Sequence, residues 1–269
     1  MPGRTIVITG ASDGIGAATA KRLLRAGESV VVIGRSEQKT KAVASGLGAD
    51  YFVADFADLS QVRTLAGALL ERYPRIDVLA NNAGGIMARE RQLTVDGHEK
   101  TFQVNHLAPF LLTTMLLGRL TESRARVLNT SSVGNKIFGR LDIDDLDAAG
   151  KYRPSKAYGD AKLENILFTK ELHRRYHAQG ISTAAFHPGN VASNFSSESG
   201  SLMRAVYHSP LKHVMLISPD KGCRRAGLAR HGAAGLGLAV RPVLHQAQDR
   251  HSQQASRRRR PRPSAVGPQ

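Results

Sequence analysis

Two tyrosine–lysine pairs with the same spacing lie close together in the chain. Tyr158 precedes Lys162 by four residues, and Tyr152 precedes Lys156 by the same interval. Residues four apart share one face of a helix, so either pair could hold a phenol beside an ammonium. A nearby positive charge lowers the pKa of a phenol from its usual value of about 10, and such a phenol can exchange a proton with a substrate oxygen. The same spacing is typical of ordinary amphipathic helices, so other parts of the chain must identify a site.

The composition is that of a globular protein in a reducing compartment. The chain has 269 residues, enough for one large α/β domain or two small ones, and 41% of them are apolar, which supports a globular core. Its single cysteine, Cys223, excludes an internal disulfide and a cysteine-based metal cluster, so we predict a cytoplasmic protein without a metal site. The N-terminal run RTIVITGASDGIG is interrupted by Gly and Asp too early for a signal peptide, and the longest apolar run, PFLLTTMLL, is too short to span a membrane.

The N-terminal segment has the pattern of a phosphate-binding loop. Residues 4–9, RTIVIT, predict a short buried strand; TGASDGIG follows, and then the helical pattern AATAKRLLRAG. Glycines let the backbone approach a pyrophosphate, and the helix N-terminus supplies free N–H groups and the positive end of a dipole. A plain structural turn is the alternative. The predicted cofactor-binding residues of this loop are Thr9, Gly10, Ser12, Asp13, Gly14, Ile15 and Gly16.

The second predicted strand, residues 29–33, ends in Gly34 and Arg35. A protein that prefers NAD usually carries an acidic residue here, which binds the ribose 2′-hydroxyl. An arginine can instead pair with a 2′-phosphate. Glu37 is near, but it lies beyond the strand end, where a helix should begin. We therefore predict NADP(H) rather than NAD(H), with Arg35 in the cofactor site; the alternative is that Arg35 is a solvated surface residue.

Polar and small residues follow the next two predicted strands. The third strand, 50–54, is followed by Asp55 and Phe56, which could offer a carboxylate and a backbone group to an adenine edge. The fourth strand, 76–80, is followed by NNAG. Ligands bind outside the carboxyl ends of parallel strands, although turn formation alone would also explain an Asn-Gly sequence. The predicted cofactor contacts of this turn are Asn82, Ala83 and Gly84.

A helix is predicted over residues 97–117 and a fifth strand over 125–130. Asn105 lies inside the helix, four residues before Pro109. Because proline has no N–H, it disturbs the carbonyl of Asn105, and a kink here would free that carbonyl to hold a water. The fifth strand ends in two serines, which usually form turns but could bind a substrate oxygen beside an active tyrosine.

Taken together, these segments resemble the short-chain dehydrogenase/reductase family. The motifs are TGASDGIG, NNAG, QVNHLAPF, VLNTSSVG, YGDAK and HPGNV, and they occur in the family's order up to residue 222. The loop KIFGRLDIDDLDAAGKYRPSKA and the helix KLENILFTKEL are most similar to the retinol dehydrogenase-like branch. The resemblance implies an α/β fold: a Rossmann-type, doubly wound parallel sheet flanked by helices in a single domain, residues 1–222.

The resemblance also implies roles for particular residues. It selects Tyr158 over Tyr152, because the family's helix follows Tyr158. The implied catalytic residues are Asn105, Ser132, Tyr158 and Lys162, with Ser132 favoured over Ser131 because it immediately precedes a Val-Gly turn. Tyr158 and Lys162 are also implied to bind the cofactor. Near the predicted strand ISTAAFH, three further residues are implied to pack against nicotinamide: Pro188, Gly189 and Val191.

After residue 222 the resemblance ends. Residues 223–269 hold ten arginines, no lysine and one acidic residue, a net charge of +9 out of the total of +16. A disordered basic tail and a tether to nucleic acid or a membrane surface are two interpretations. We favour a frameshift: read one nucleotide later with GC-rich codons, residues 223–231 can encode ADERVWLAT and 238–249 can encode WQSGRYYTKRKI, which resemble the family's next helix and final strand. The last strand is then predicted to be missing or altered.

The sequence therefore predicts an oxidoreductase that interconverts an alcohol and an aldehyde or ketone with NADP(H). Its expected partner is a small lipophilic carbonyl or alcohol, and it is expected to form a homodimer or tetramer. One alternative is a catalytically impaired nucleotide-binding protein of the same family. Another is a nucleic-acid-associated protein that uses its basic tail, although nucleic acid is not the partner we favour.

Overall fold

A parallel sheet forms the centre of the computed structural model, which describes residues 3–87 and 89–188. Within this part of the chain the sheet has six strands in the order β3-β2-β1-β4-β5-β6. The order reverses between β1 and β4, as in a doubly wound nucleotide-binding sheet. The strands are β1 Thr5–Thr9, β2 Ser29–Gly34, β3 Asp50–Val53, β4 Val78–Asn81, β5 Arg126–Thr130 and β6 Ser182–Phe186.

Helices connect the strands and cover both faces of the sheet. Their bounds are α1 Gly14–Arg25, α2 Glu37–Leu47, α3 Leu59–Arg72, α4 Lys100–Phe102, α5 Ala108–Met115, α6 Leu117–Glu122, α7 Gly134–Ile137 and α8 Pro154–Tyr176. Residues Gln103–Leu107 form a π-helical turn, hereafter the π turn, and His177–Gln179 form a 3₁₀ turn. Polar side chains cap several helices; for example, Asp58 accepts hydrogen bonds from the N–H groups of Ser60 and Gln61.

Alternating strand residues supply two hydrophobic cores. Val7 and Leu79 point towards a core shared with α3, α5 and α8, whereas Ile6 and Ile8 point towards a core shared with α1 and α2. All four residues are buried. Burial on both faces explains why the strand sequences are almost continuously apolar, and it confirms the predicted flanked parallel sheet.

Two predictions about the helix after β4 need correction. The helix predicted from residue 97 begins at Lys100, because the carboxylate of Glu99 accepts hydrogen bonds from the N–H groups of Thr101 and Phe102 and caps that end. The kink predicted near Pro109 is the π turn, and the Asn105 carbonyl, which was predicted to be free to hold a water, accepts a 3.1 Å hydrogen bond from Asn165 Nδ2.

The tail from residue 223, the boundary at 222 and the predicted final strand lie outside the described residues. Across residues 3–87 and 89–188, the structure contains no helix with the length and hydropathy required to cross a membrane.

Candidate active site

The glycine-rich loop between β1 and α1 is closely packed against its own turn. A side chain at Gly16 would overlap the carbonyl oxygen of Gly10 and would place its Cβ 2.8 Å from the Cα of Ala11. Asp13 begins α1, and its carboxylate accepts a 2.7 Å hydrogen bond from the N–H of Gly14. Because residue 16 has no side chain, the backbone of the loop beside the N-terminus of α1 is left uncovered. An uncovered backbone at a helix N-terminus is the geometry of a phosphate cradle.

Thr9 and Asn82 join this loop to the end of β4. The Thr9 hydroxyl oxygen accepts hydrogen bonds from the N–H groups of Asn82 and Ala83, both at 3.0 Å. The Asn82 side-chain amide donates to the carbonyl oxygens of Thr9 at 3.0 Å and Gly10 at 3.2 Å. These bonds show that the two predicted cofactor residues also fix the shape of the cradle.

A cleft extends from the cradle along the carboxyl ends of the strands. Seven of the predicted cofactor residues line it: Gly10, Ser12, Arg35, Asp55, Phe56, Ala83 and Gly84. Asn82 does not line the cleft, but its side chain lies close to Gly10. Sequence reasoning missed further lining residues, among them Ile86, Met87, Lys100 and Val104. The Phe56 ring is buried in the core, so this residue presents mainly its backbone to the cleft.

The end of β2 leaves no room for a side chain at Gly34. A Cβ there would overlap the hydroxyl of Thr40 and would lie 2.7 Å from both Cβ and Oγ of Ser12. Thr40 is held in place because its hydroxyl donates a 2.6 Å hydrogen bond to the carbonyl of Ser36. Arg35, the next residue, is exposed and lines the cleft.

Tyr158 and Lys162 both lie on α8 and both are buried, with exposed fractions of 6% and 2%. The Lys162 Nζ lies 5.5 Å from the centroid of the Tyr158 ring. Burial lowers the pKa of Lys162 to about 7. Helix α8 therefore holds a phenol beside an amine that changes charge near neutral pH.

Asn105 and Gly84 bring the π turn to this pair. The Asn105 side chain is buried; its Oδ1 accepts a 3.0 Å hydrogen bond from the N–H of Gly85, and its Nδ2 donates to the carbonyls of Gly85 and Thr101. A Cβ at Gly84 would overlap Asn105 Oδ1 and would lie 3.1 Å from Lys162 Nζ. The backbone of Gly84, at φ +147°, thus runs directly between these two side chains.

The two serines after β5 differ in their surroundings. The Ser131 hydroxyl is buried and donates a 2.9 Å hydrogen bond to the carbonyl of Lys162. Ser132 is half-buried, and its Oγ accepts a hydrogen bond from the N–H of Gly134 at 3.2 Å. A Cβ at Gly134 would lie 3.3 Å from the Tyr158 ring and 3.5 Å from Ser132 Oγ, so this serine faces the tyrosine across a glycine.

With this geometry established, comparison with known proteins identifies the family. The model of the family described as short chain dehydrogenase matches residues 4–142. The chain belongs to the short-chain dehydrogenase family. A protein named as daunorubicin C-13 ketoreductase from Streptomyces sp. (strain C5) is 44% identical over 198 residues, which cover 71% of this chain and 67% of the relative.

Two further comparisons define the branch and the fold. Retinol dehydrogenase 13 of Homo sapiens is 35% identical over 232 residues, which cover 82% of this chain and 70% of the relative. This short-chain dehydrogenase therefore belongs to the retinol dehydrogenase-like branch. The structure of the Pseudomonas aeruginosa RhlG/NADP active-site complex superposes with a TM-score of 0.68 at 26% identity, covering 88% of this chain and 93% of that chain.

The other tyrosine–lysine pair of this short-chain dehydrogenase is arranged differently. Tyr152 precedes α8, whereas Lys156 lies in its first turns and forms a 2.5 Å ion pair with Asp160. Burial, together with the neighbouring Glu99 carboxylate, raises the pKa of Tyr152 to about 12. The pair therefore does not share a helical face, and its phenol is a weaker acid than an ordinary tyrosine.

The remaining predicted site residues divide into two groups. Pro188 follows β6 at the carboxyl edge of the sheet, and Ile15 lies in the first turn of α1. Gly189 and Val191 lie outside the described residues. Sequence reasoning also missed Asn165, a buried residue of α8 that contacts the π turn. Its signal was available, because it lies seven residues after Tyr158 and so returns to the same helical face.

Proposed function

We propose that the protein is an NADP(H)-dependent oxidoreductase that interconverts a secondary or primary alcohol and a ketone or aldehyde. One observation carries this proposal. The buried amine of Lys162 lies beside the Tyr158 ring, Ser132 faces the same ring, and Gly84, which lines the cleft, lies against the Lys162 Nζ. A phenol with a nearby positive charge and a second hydroxyl is suited to moving a proton to or from an oxygen atom.

The described residues fit a dinucleotide. The glycine cradle would hold the pyrophosphate at the N-terminus of α1, and Asp55 and the backbone of Phe56 would face the adenine. We propose that Pro188, Gly189 and Val191 pack against the nicotinamide. When bound, the cofactor would supply or accept the hydride, and the protein would supply position and electrostatic support.

Each catalytic side chain has a proposed task. In reduction, the Tyr158 hydroxyl donates a proton to the carbonyl oxygen; in oxidation, it takes that proton from the alcohol. Ser132 donates a hydrogen bond to the same oxygen. Lys162 in its ammonium form lowers the pKa of Tyr158 and can bind ribose hydroxyls. Asn105 maintains the turn at Gly84 and Gly85 beside that ammonium.

The preference for NADP(H) rests on the end of β2. Arg35 is exposed on the cleft and offers a fork of donors to a 2′-phosphate, whereas the crowding at Gly34 disfavours the acidic side chain of an NAD site. Arg35→Ala should raise the KM for NADPH by about tenfold, equivalent to the loss of a charge-assisted hydrogen bond, and leave the KM for NADH almost unchanged. Equal effects on both cofactors would contradict this preference.

The substrate is proposed to be lipophilic. Three apolar side chains near Ser132 are exposed, namely Val133 at 42%, Ile137 at 60% and Phe138 at 45%. Val133 follows the serine directly, Ile137 lies on α7 and Phe138 comes directly after it, so the three would flank a substrate whose oxygen reaches Tyr158. The names of the relatives, a daunorubicin ketoreductase and a retinol dehydrogenase, denote enzymes of large, carbon-rich substrates.

Assembly, location and the tail complete the proposal. Phe110 on α5 and Leu167 on α8 are exposed at 40% and 45%, which supports a homodimer or tetramer with α8 in the interface. We propose a cytoplasmic location on the basis of the single cysteine. We also retain the division at residue 222 and the frameshift origin of 223–269; an intact reading frame in close relatives that encodes the same Arg-rich tail would overturn the frameshift.

The proposed function can be tested by following NADPH oxidation against a panel of carbonyl compounds. The panel should contain aliphatic aldehydes, aromatic ketones, retinal and a polycyclic ketone, and Tyr158→Phe serves as the control. We expect turnover of at least one lipophilic carbonyl that the variant loses. Tight binding of NADPH without turnover of any carbonyl or alcohol would instead support a nucleotide-binding protein without activity.

A further inference from the structure

One buried amide joins three elements around the site, and the proposed chemistry leaves it without a role. Asn165 lies on α8 three residues after Lys162, and only 4% of it is exposed. Its Nδ2 donates to the carbonyl oxygen of Asn105 in the π turn and to that of Thr130 at the end of β5, both at 3.1 Å. A single side chain therefore connects α8 to the π turn and to the sheet.

The bond to Asn105 replaces one that the helix cannot make. In an α-helix the carbonyl of Asn105 would accept a hydrogen bond from the N–H four residues later. That residue is Pro109, which has no N–H, and the chain forms a π turn across this position. Asn165 supplies a donor from the neighbouring helix, so the direction of the Asn105 carbonyl depends on α8.

The other end of the amide defines the state of a histidine. Since both acceptors of Asn165 Nδ2 are carbonyl oxygens, its Oδ1 must be the end that faces His106, at 3.0 Å from Nδ1. An amide oxygen only accepts, so His106 carries a hydrogen on Nδ1. Burial lowers the pKa of His106, while the bond to Asn165 opposes this shift and the positive charge of Lys162 adds to it. His106 is thus neutral near neutral pH and does not place a second positive charge beside Lys162.

We propose that Asn165, supported by His106, is a positioning residue that holds Lys162 in place beside Tyr158. It acts through Asn105, whose main chain it binds and whose side chain fixes Gly84 against the Lys162 Nζ. The inference rests on the proposed role of the Tyr158–Lys162 pair. If Asn165 has this role, loss of its amide changes the pKa of Tyr158. A residue with a purely structural role would change only the stability of the protein.

The test compares Asn165→Leu with a matched variant, Asn129→Leu. Asn129 is equally buried, and its amide also binds α8: its Nδ2 donates to the Thr169 hydroxyl and its Oδ1 accepts from Asn81, both at 2.9 Å. Neither partner belongs to the π turn. Both variants lose a buried amide of similar volume, so both should lose stability to a similar extent.

The readout is the absorbance titration of tyrosinate in the full-length protein. The chain has no tryptophan and six tyrosines, and subtracting the titration of the same variant with Tyr158→Phe isolates Tyr158. We expect Asn165→Leu to move the Tyr158 midpoint upward by about one pH unit. A forming phenolate favours the ammonium form of a lysine beside it, and in the variant Lys162 is no longer held where that ammonium stabilises the phenolate. Asn129→Leu should leave the midpoint within a few tenths of a unit.

Activity provides the second readout and separates the two proposals. Asn165→Leu should lower kcat about tenfold with little change in the KM for NADPH, and Asn129→Leu should alter neither strongly. The positioning role would be overturned if Asn165→Leu and Asn129→Leu shifted the Tyr158 titration midpoint by the same amount, or if neither shifted it. A selective shift in a protein that reduces no carbonyl would sustain the positioning of Tyr158 but overturn the proposed reaction. If either leucine variant fails to fold, the pair Asn165→Ala and Asn129→Ala gives the same comparison.

Discussion

The two tyrosine–lysine pairs have identical spacing but opposite environments. Tyr152 lies before α8, and Lys156 is an ion-pair partner of Asp160. Tyr158 and Lys162 lie within α8, and the surrounding sheet, π turn and α7 bury both side chains. Spacing places two residues on one face only where the helix already exists. Burial and neighbouring groups then distinguish the pair to which we assign proton transfer from the pair to which we do not.

The largest difference should appear when each tyrosine loses its hydroxyl. Tyr158→Phe should lower kcat about a thousandfold, because it removes the proposed proton donor and acceptor. Tyr152→Phe should change kcat by no more than about threefold, since its hydroxyl has only a structural role in this comparison. Steady-state kinetics with a carbonyl substrate found in the panel would check both. Similar losses of kcat in the two variants would show that the catalytic role cannot be assigned to Tyr158 alone.

Replacing the lysines should separate activity from stability. Lys162→Met should lower kcat about a hundredfold and, below pH 7, raise the free energy of unfolding by about 1–3 kcal/mol, because a buried charge is removed. Burial lowers the pKa of Lys162 to about 7, whereas an ordinary lysine has a pKa of 10.5. Between these values the unfolded chain binds a proton that the folded chain has released, so wild-type stability rises with pH relative to the variant.

Lys156→Met is the control for this pair. It removes a partly exposed ion pair, which should cost about 0.3–1 kcal/mol and leave kcat unchanged. Chemical denaturation at several pH values measures both variants. If Lys162→Met were less stable than the wild type at pH 6, the buried lysine would be a net stabilising group, and the predicted opposite effects of the two lysines on stability would be wrong.

The close contact of α7 with α8 should affect the position of Tyr158 as well as the stability of the protein. A Cβ at Gly159 would lie 2.7 Å from the nitrogen of Gly139 and 2.9 Å from the carbonyl oxygen of Gly134. Gly159→Ala should therefore lower the free energy of unfolding by about 1–3 kcal/mol and reduce kcat by displacing α7 from Tyr158. Gly67 on α3 has open space around it, so Gly67→Ala should stabilise the protein by about 0.5–1 kcal/mol. Thermal unfolding measures both variants, and melting temperatures that shifted in the same direction would contradict this contrast.

A smaller effect than those of the Tyr158 and Lys162 variants is expected from a buried acid on the same helix. Burial, and secondarily the nearby Asp160 carboxylate, raise the pKa of Glu164 to about 8 from an ordinary 4.5. Between these values the folded chain holds a proton that the unfolded chain has released, so wild-type stability falls as pH rises. Glu164→Gln should be more stable than the wild type by about 1–2 kcal/mol above pH 8, and the two should converge below pH 4.5.

Glu171→Gln, farther along α8, should behave in the opposite way. Hydrogen bonds from Arg174 and then Arg175 lower the pKa of Glu171 to about 2. Its favourable contribution is present above pH 4.5 and is lost as pH falls towards 2, so its replacement should slightly destabilise the protein at neutral pH. Denaturation curves from pH 4 to pH 9 would test both signs, and a stabilising Glu171→Gln would contradict the assignment.

The sequence by itself determined the elements and their chemical types. The apolar strands, the glycine-rich turn and the helices could be predicted because they depend on local periodicity and on glycine positions. The order of the motifs gave the family resemblance, and that resemblance implied the parallel sheet and the choice of Tyr158. Helix starts were less certain: Glu99 capped the helix at a point that the apolar pattern did not mark.

Only the tertiary structure decided which residues act together. It separated Ser131, bonded to the Lys162 carbonyl, from Ser132, which faces Tyr158. It also brought Asn165 to the carbonyl of Asn105, sixty residues earlier in the chain. Such contacts depend on how β5, α8 and the π turn pack against one another. Spacing along the chain carries no information about distances across that packing, and burial, which sets the charge of Lys162, exists only once the elements have assembled.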